Sequence, residues 1–143
     1  MVTHKNKYVR DIIEVVLAFV VAWLFYQALA LAAGTPMPIV SVESESMEPI
    51  LHKGDLVFIL SPENLKVKDI IIYEPMQNCF ETEKTIIHRI IGFADDGKFI
   101  IKGDHNPIPD RCNVDKSQAR GKVILAIPLL GYPRTILYDV FNI

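Results

Sequence analysis

An uncharged apolar run near the N-terminus constrains this chain more than any other feature of its sequence. Residues 15–33 contain no charged side chain, and Gln27 is the one strongly polar residue among them. A helix of these 19 residues would be about 28 Å long, close to the hydrocarbon thickness of a bilayer. Gly34 and two prolines soon after it end any helix there. The run therefore predicts a membrane-spanning helix that stops near Gly34.

The same run has two alternative interpretations. The segment Ala28-Leu29-Ala30 resembles the small-x-small cleavage site of a secretory signal peptide behind a basic N-terminal region. The apolar run is, however, longer than the roughly 7 to 15 residues of such a peptide. A buried core helix is the other alternative, but a helix that is apolar on all sides needs a larger protein around it.

Basic residues predict the orientation of the helix. Lys5, Lys7 and Arg10 precede the apolar run, whereas no Lys or Arg follows it before Lys53. Because short cytoplasmic segments carry an excess of basic residues, we expect a cytoplasmic tail (1–12), an anchor (13–34) and an extracytoplasmic domain (35–143). The expected location is the cell membrane or, in a eukaryote, the endoplasmic reticulum membrane with the domain in the lumen.

Composition excludes several classes of function. The chain has 143 residues, 50% of them hydrophobic and 22% charged, with a formal net charge of −2. It lacks the basic surface that nucleic acids select, so we expect no nucleic-acid partner. The two cysteines, Cys79 and Cys112, indicate neither a disulfide framework nor a zinc site. Whether they form one disulfide with each other is left open.

After the anchor, the pattern changes to short β-branched runs separated by Gly, Pro and Asp, which predicts an all-β barrel or sandwich. We expect loops at 74–83 and 104–117 and strands at 39–42, 56–60, 69–73, 85–93, 98–102 and 122–127.

Asp96-Gly97 predicts a two-residue type I′ turn that joins two of these strands. If Asp95 pairs with Lys98, Arg89 lies opposite Asp104 and forms a cross-strand ion pair. The same register places His88 opposite His105.

A candidate nucleophile lies where the first predicted strand ends. In the segment 44–49, we expect the chain to turn at Pro49, which would expose Ser46. Serine hydrolysis requires such a hydroxyl with a base, an orienting group and oxyanion donors. The alternative is that Ser44 and Ser46 are ordinary surface serines of an acidic turn.

Five sequence boxes resemble, in order, those of the type I signal peptidases. They are SESMEP (44–49), GDLV (54–57), HRIIG (88–92), KGDHN (102–106) and GKV (121–123) with IPLLGY (127–132). Bacterial members of the family have a lysine before the arginine of the third box and use a Ser-Lys dyad. Here that position is His88, so the chain is similar to the archaeal and endoplasmic-reticulum branch. The resemblance implies a small signal-peptidase-type β domain behind one N-terminal transmembrane helix.

The resemblance also implies roles for individual residues. Ser46 corresponds to the nucleophile and His88 to the general base. An aspartate in the loop after the KGDHN box orients the histidine in this branch, which indicates Asp110, while Asp104 matches a second important aspartate. The backbone N–H of Ser46 and the hydroxyl of Ser44 correspond to the oxyanion donors. Which aspartate orients the base is left open.

The substrates implied are signal peptides of exported preproteins, bound as an added strand and cleaved after small residues through an acyl-enzyme. The positions that match the family's pocket walls are Val40, Val42, Met47 and Ile87, although some of these could be ordinary core residues. The lipid bilayer is an implied partner, the protein-export translocon is a candidate partner, and no cofactor or metal is implied.

Other bases and other functions also fit the sequence. His105, Lys84 and Lys102 are alternatives to His88 as the base. A self-cleaving repressor-type peptidase would share the β fold but needs a DNA-binding domain. A membrane-anchored β domain that only binds a partner would not need the hydroxyl of Ser46.

Overall fold

The structure, a computed structural model, describes residues 3–76, 79, 85–133, 136 and 140. Contacts divide the chain into two units, residues 1–32 and residues 33–143. Helix α1 runs over Thr3–Ala33, and its segment Lys7–Ala33 is long and apolar enough to cross a membrane. Gly34 follows with a positive φ of 64°, the left-handed conformation that commonly ends a helix. The helix thus stops where the sequence predicts, but it begins earlier, within the basic tail.

The second unit is built on one six-stranded antiparallel sheet, which confirms the mainly β prediction. The strand order is β1-β2-β6-β3-β4-β5, so β1 and β5 are the edges. Five strands lie within one residue of their predicted bounds, and β6 begins three residues earlier. The strands are β1 (Ile39–Ser41), β2 (Leu56–Leu60), β3 (Ile70–Tyr73), β4 (Ile86–Phe93), β5 (Phe99–Lys102) and β6 (Ala119–Ile127).

Short helical segments accompany the sheet. A 3-10 turn occupies Lys116–Gln118, at the end of the predicted 104–117 loop. Residues 132, 133, 136 and 140 are also helical. Neither feature is part of the all-β prediction.

Each face of the sheet carries its own apolar cluster, because successive strand residues point to opposite faces. Ile71 and Ile72 are neighbours in β3, both fully buried, and belong to different clusters. The first cluster comprises Ile71, Tyr73, Ile90, Phe99, Ile101, Val114 and Ala119. The second comprises Val42, Met47, Leu51, Val57, Ile59 and Ile72.

The β4–β5 hairpin differs from the predicted two-residue turn. The N–H of Ala94 donates to Lys98 and that of Gly97 to Ala94, both at 2.9 Å, so the loop has three residues. Gly97 takes the positive φ (80°) that this loop type requires. A bulge between Ile90 and Gly92 shifts the register again.

The predicted partner of His88 is therefore wrong, whereas the predicted ion pair forms. Arg89 pairs with Lys102 instead of Asp104, a displacement of two residues. An even displacement keeps every side chain on its own face, so Arg89 still reaches Asp104 diagonally. His88 does not lie opposite His105; it pairs with Ile71 of β3.

Candidate active site

Ser46 lies in a loop that is fastened at its ends and in its middle. The N–H of Val42 donates to the carbonyl of Asp55 at 2.8 Å, which joins the two ends of the loop. Met47 and Leu51 are buried in the second apolar cluster. Because the residue after it is buried, Ser46 is held at the surface of the sheet, half-buried itself.

His88 joins two otherwise separate segments of the chain. Its Nε2 lies 3.1 Å from Oγ of Ser46, and its Nδ1 lies 2.7 Å from Oδ2 of Asp110. The side chains of His88 and Asp110 are only 6% and 3% exposed. When Nδ1 carries the ring proton and donates it to the carboxylate, the lone pair of Nε2 faces the hydroxyl of Ser46.

Asp110 comes from the loop after β5 and is held there by several contacts. Its N–H donates to the carbonyl of Ile101 at 2.8 Å, and the hydroxyl of Tyr73 donates to its Oδ2 at 2.7 Å. Two residues later, Cys112 forms a disulfide with Cys79, with their Cα atoms 5.8 Å apart. The pairing of the two cysteines, which the sequence does not determine, is therefore a disulfide with each other.

The turn after β5 packs directly on the loop that contains Ser46. The N–H of His105 donates to the carbonyl of Ser46 at 2.9 Å. A Cβ at Gly103 would lie 2.6 Å from that same carbonyl oxygen and 2.9 Å from Nε2 of His88. Only glycine therefore fits at position 103 without moving Ser46 or His88.

Asp104 binds Arg89 rather than His88. Its two carboxylate oxygens accept from Nε and Nη2 of Arg89 at 2.7 and 2.6 Å, and Nη1 donates to the carbonyl of Lys68. The hydrogen bonds to Asp104 raise the pKa of Arg89 above its ordinary value. The structure thus brings Asp110 to the histidine and places Asp104 in a charged pair that faces away from it.

Of the predicted oxyanion and pocket residues, Ser44 has its side chain beside that of Ser46. Oγ of Ser44 is 3.1 Å from Oγ of Ser46. The four predicted wall residues all belong to or pack against the second apolar cluster. Two of them, Val42 and Met47, are buried, whereas Val40 and Ile87 are half-buried.

The rival bases have other surroundings. His105 is exposed and contacts Ser46 through its backbone, and Lys102 lies opposite Arg89. Lys84 lies outside the described residues. Over the described ranges, no group of three His, Cys, Asp or Glu side chains could hold a metal ion.

Comparison with known proteins assigns the chain to a family. Residues 12–103 match the family described as signal peptidase, peptidase S26. The chain belongs to the signal peptidase family. It is 30% identical to the signal peptidase complex catalytic subunit sec11 of Sclerotinia sclerotiorum, over 82% of this chain and 74% of the relative. It is 32% identical to the corresponding SEC11 subunit of Saccharomyces cerevisiae, over 68% of this chain and 59% of the relative. The predicted resemblance to endoplasmic-reticulum-like type I signal peptidases is confirmed.

The sequence reasoning did not single out two features of this signal peptidase site. One is Tyr73, which the strand pattern treats as an ordinary apolar position. The other is the fit of Gly103 against Ser46. The KGDHN box contains Gly103, but only the three-dimensional packing shows why a side chain is excluded there.

Proposed function

We propose that this chain is a membrane-anchored serine endopeptidase that removes signal peptides from exported preproteins, with Ser46 as nucleophile and His88 as general base. The hydrogen-bonded chain Ser46–His88–Asp110 is the observation that carries the proposal. Membership of the signal peptidase family supports the choice of substrate. α1 would be the anchor, with the basic tail cytoplasmic and the β domain on the opposite side.

In the first half-reaction, Oγ of Ser46 attacks the scissile carbonyl while Nε2 of His88 takes its proton. The imidazolium that forms keeps its Nδ1–H on Asp110, which stabilises the positive charge. His88 then gives its proton to the leaving amine as the peptide bond breaks, and an acyl group remains on Ser46. In the second half-reaction, water attacks the ester while His88 again acts as base, and Ser46 is regenerated.

The oxyanion of the tetrahedral intermediate would accept hydrogen bonds from the N–H of Ser46 and the hydroxyl of Ser44. In the resting structure that hydroxyl lies 3.1 Å from Oγ of Ser46, so a rotation about χ1 would turn it to the oxyanion. Loss of one such donor lowers kcat by about 10²- to 10³-fold in comparable sites. Ser44→Ala should therefore fold normally, with an unchanged melting temperature, but cleave slowly. Wild-type turnover in this variant would remove Ser44 from the oxyanion hole.

The substrate would bind as an extended strand beside β1. β1 is an edge of the sheet and leads directly into the Ser46 loop, so backbone pairing there would carry a peptide toward the hydroxyl. Val40 and Ile87, which are half-buried, would contact the substrate side chains most directly. Aliphatic walls set on buried Val42 and Met47 leave a shallow pocket, which favours alanine over larger residues.

The test uses the full chain in detergent with a labelled preprotein, and mass spectrometry to identify the new N-terminus. Cleavage after a small residue is expected, and both Ser46→Ala and His88→Ala should abolish it. Ser61→Ala and His105→Ala are matched controls that should cleave at close to the wild-type rate. Cleavage that persists in Ser46→Ala would overturn the proposal, whereas the absence of cleavage by the wild type would favour a domain that only binds a partner.

A further inference from the structure

Tyr73 is a fully buried tyrosine whose hydroxyl binds Asp110, the acidic member of the hydrogen-bonded chain Ser46–His88–Asp110. It ends β3, pairs with Ile86 of β4 and Ala119 of β6, and is 0% exposed. A buried phenol requires a hydrogen-bond partner. Its hydroxyl donates to Oδ2 of Asp110 at 2.7 Å.

The oxygen that Tyr73 binds is the one that His88 uses. Nδ1 of His88 lies at the same 2.7 Å distance from Oδ2 of Asp110. Ile71 pairs with His88 across β3 and β4, and Tyr73 lies two residues from Ile71, so Tyr73 and His88 share one face of the sheet. Two donors on neighbouring strands therefore meet at one carboxylate oxygen.

Asp110 depends on such contacts more than its partners do. His88 and Tyr73 are held by strands with neighbours on both sides, whereas Asp110 lies in a loop, where its N–H donates to Ile101. A backbone hydrogen bond fixes the position of the loop but leaves the carboxylate free to rotate about χ1 and χ2. The hydroxyl of Tyr73 removes that freedom, because it holds Oδ2 in place.

We propose that Tyr73 is a positioning residue of this peptidase, whose hydroxyl holds the carboxylate of Asp110 where it accepts the Nδ1–H of His88. The inference rests on the proposed function. With the carboxylate fixed, the imidazole keeps the tautomer and the ring orientation that direct Nε2 to Ser46. Tyr73 does not touch the substrate and acts through Asp110.

The ionisation of Tyr73 fits this role. Burial, and then the hydrogen bond to Asp110, raise the pKa of Tyr73 far above its ordinary value. The hydroxyl therefore stays protonated, and remains a donor, over any pH range in which the enzyme works.

The alternative is that Tyr73 only fills the first apolar cluster and donates to Asp110 because no other acceptor is near. A purely structural tyrosine would affect the melting temperature, and its effect on the rate would not depend on whether Asp110 is present. A positioning tyrosine would affect kcat only while Asp110 is present. A double-mutant cycle separates the two roles.

The experiment compares the full-length wild type with Tyr73→Phe, Asp110→Ala and the double variant, using the same preprotein and rates normalised to folded protein by thermal unfolding. Tyr73→Phe removes one oxygen atom and keeps the ring, and we expect kcat to fall about tenfold with KM changed less than twofold. In the Asp110→Ala background, the same change should lower kcat less than twofold. Ile71→Val, which trims a fully buried neighbour, is the control: it should lower the melting temperature and leave kcat within twofold.

Two results would overturn the inference: wild-type kcat in Tyr73→Phe, or an equal tenfold loss with and without Asp110. Ser46→Ala is included in each assay. If Ser46→Ala cleaves, the proposed function fails. If Ser46→Ala is inactive while Tyr73→Phe turns over normally, only the role of Tyr73 fails.

Discussion

Two neighbouring residues of β4, His88 and Arg89, each bind an aspartate from the segment after β5, and the two pairs differ in burial and in chemistry. The side chains of His88 and Asp110 are 6% and 3% exposed, and those of Arg89 and Asp104 are 25% and 18% exposed. Alternation along the strand directs the pairs to opposite faces of the sheet. The first pair contains an imidazole, whose second ring nitrogen can accept a proton, and the second contains a guanidinium, which has no acceptor atom.

Because of this difference, we expect Asp104 and Asp110, only six positions apart, to have different roles. Arg89 binds Asp104 through two parallel hydrogen bonds, a geometry that fixes orientation strongly. Its raised pKa keeps it charged, so this pair can brace the turn after β5 but cannot transfer a proton. The buried His88–Asp110 pair, in contact with Ser46, can do so. The Arg89–Asp104 pair should thus affect catalysis only through the position of the turn after β5.

The sharpest test of this contrast is Asp110→Asn, from which we expect the largest effect on the cleavage rate. An amide can donate a hydrogen bond to Nδ1, which would leave the ring proton on Nε2 and remove the base. The comparable change in a serine protease triad lowers kcat by about 10⁴-fold, so kcat should fall at least about 10³-fold here. The melting temperature should change by only a few degrees. A loss below tenfold, measured by preprotein cleavage, would contradict the assignment of Asp110.

Gly103 precedes Asp104 in the chain and packs against His88, and its replacement should have the next largest effect. In Gly103→Ala, the new methyl group must displace the carbonyl of Ser46 or the ring of His88, since both lie within 3 Å of it. A misplacement of about 1 Å can cost about 10²-fold in rate, and we expect a loss of that order in kcat.

Gly92→Ala is the matched control for Gly103→Ala, because it also lies in the β4–β5 region and its nearest neighbour would be 3.8 Å away. It should cleave within about threefold of wild type. Equal rates for the two variants would show that the contact at Gly103 does not constrain the site.

The β4–β5 hairpin shows which features of the fold can be predicted from the sequence and which cannot. Alternation and turn residues predict the strands and the face on which each side chain lies, because these depend on local pattern. They do not predict a three-residue loop at Gly97 or the bulge after Ile90, because both depend on how the whole sheet twists. The ion pair of Arg89 was predicted correctly since the register error was even.

The candidate site likewise contains residues that the sequence predicts and one that it does not. Sequence boxes identify Ser46 and His88, and a family resemblance indicates Asp110 in the following loop. The role of Tyr73 is invisible at that level, because a tyrosine at the end of an apolar strand fits the core pattern equally well. Only the position of its hydroxyl, which donates to Asp110, distinguishes a tyrosine that binds the site from one that only fills the core.

Asp104→Asn tests the bracing pair and should have a smaller effect on rate than either change above. The amide keeps the shape of the side chain but loses the charge and one acceptor for the guanidinium. We expect a loss of about 1–3 kcal/mol in the free energy of unfolding and a fall in kcat of tenfold or less. Denaturant unfolding and preprotein cleavage measure these two quantities. If Asp104→Asn proved as inactive as Asp110→Asn at full folding, Asp104 would have a direct part in the chemistry.

The disulfide Cys79–Cys112 links the chain two residues after Asp110 to a distant segment. Of the changes considered, its removal should have the smallest effect on the cleavage rate. Cross-linking residues 33 positions apart restricts the unfolded chain, so Cys112→Ser should lower the free energy of unfolding by about 2–4 kcal/mol. Well below the melting temperature, kcat should fall less than about threefold, because Ile101 and Tyr73 still hold Asp110. Treatment with a reductant should reproduce the variant in the wild type and leave Cys112→Ser unchanged. If reduction abolished cleavage in protein that remains folded, the covalent link itself, rather than those hydrogen bonds, would hold the carboxylate against His88.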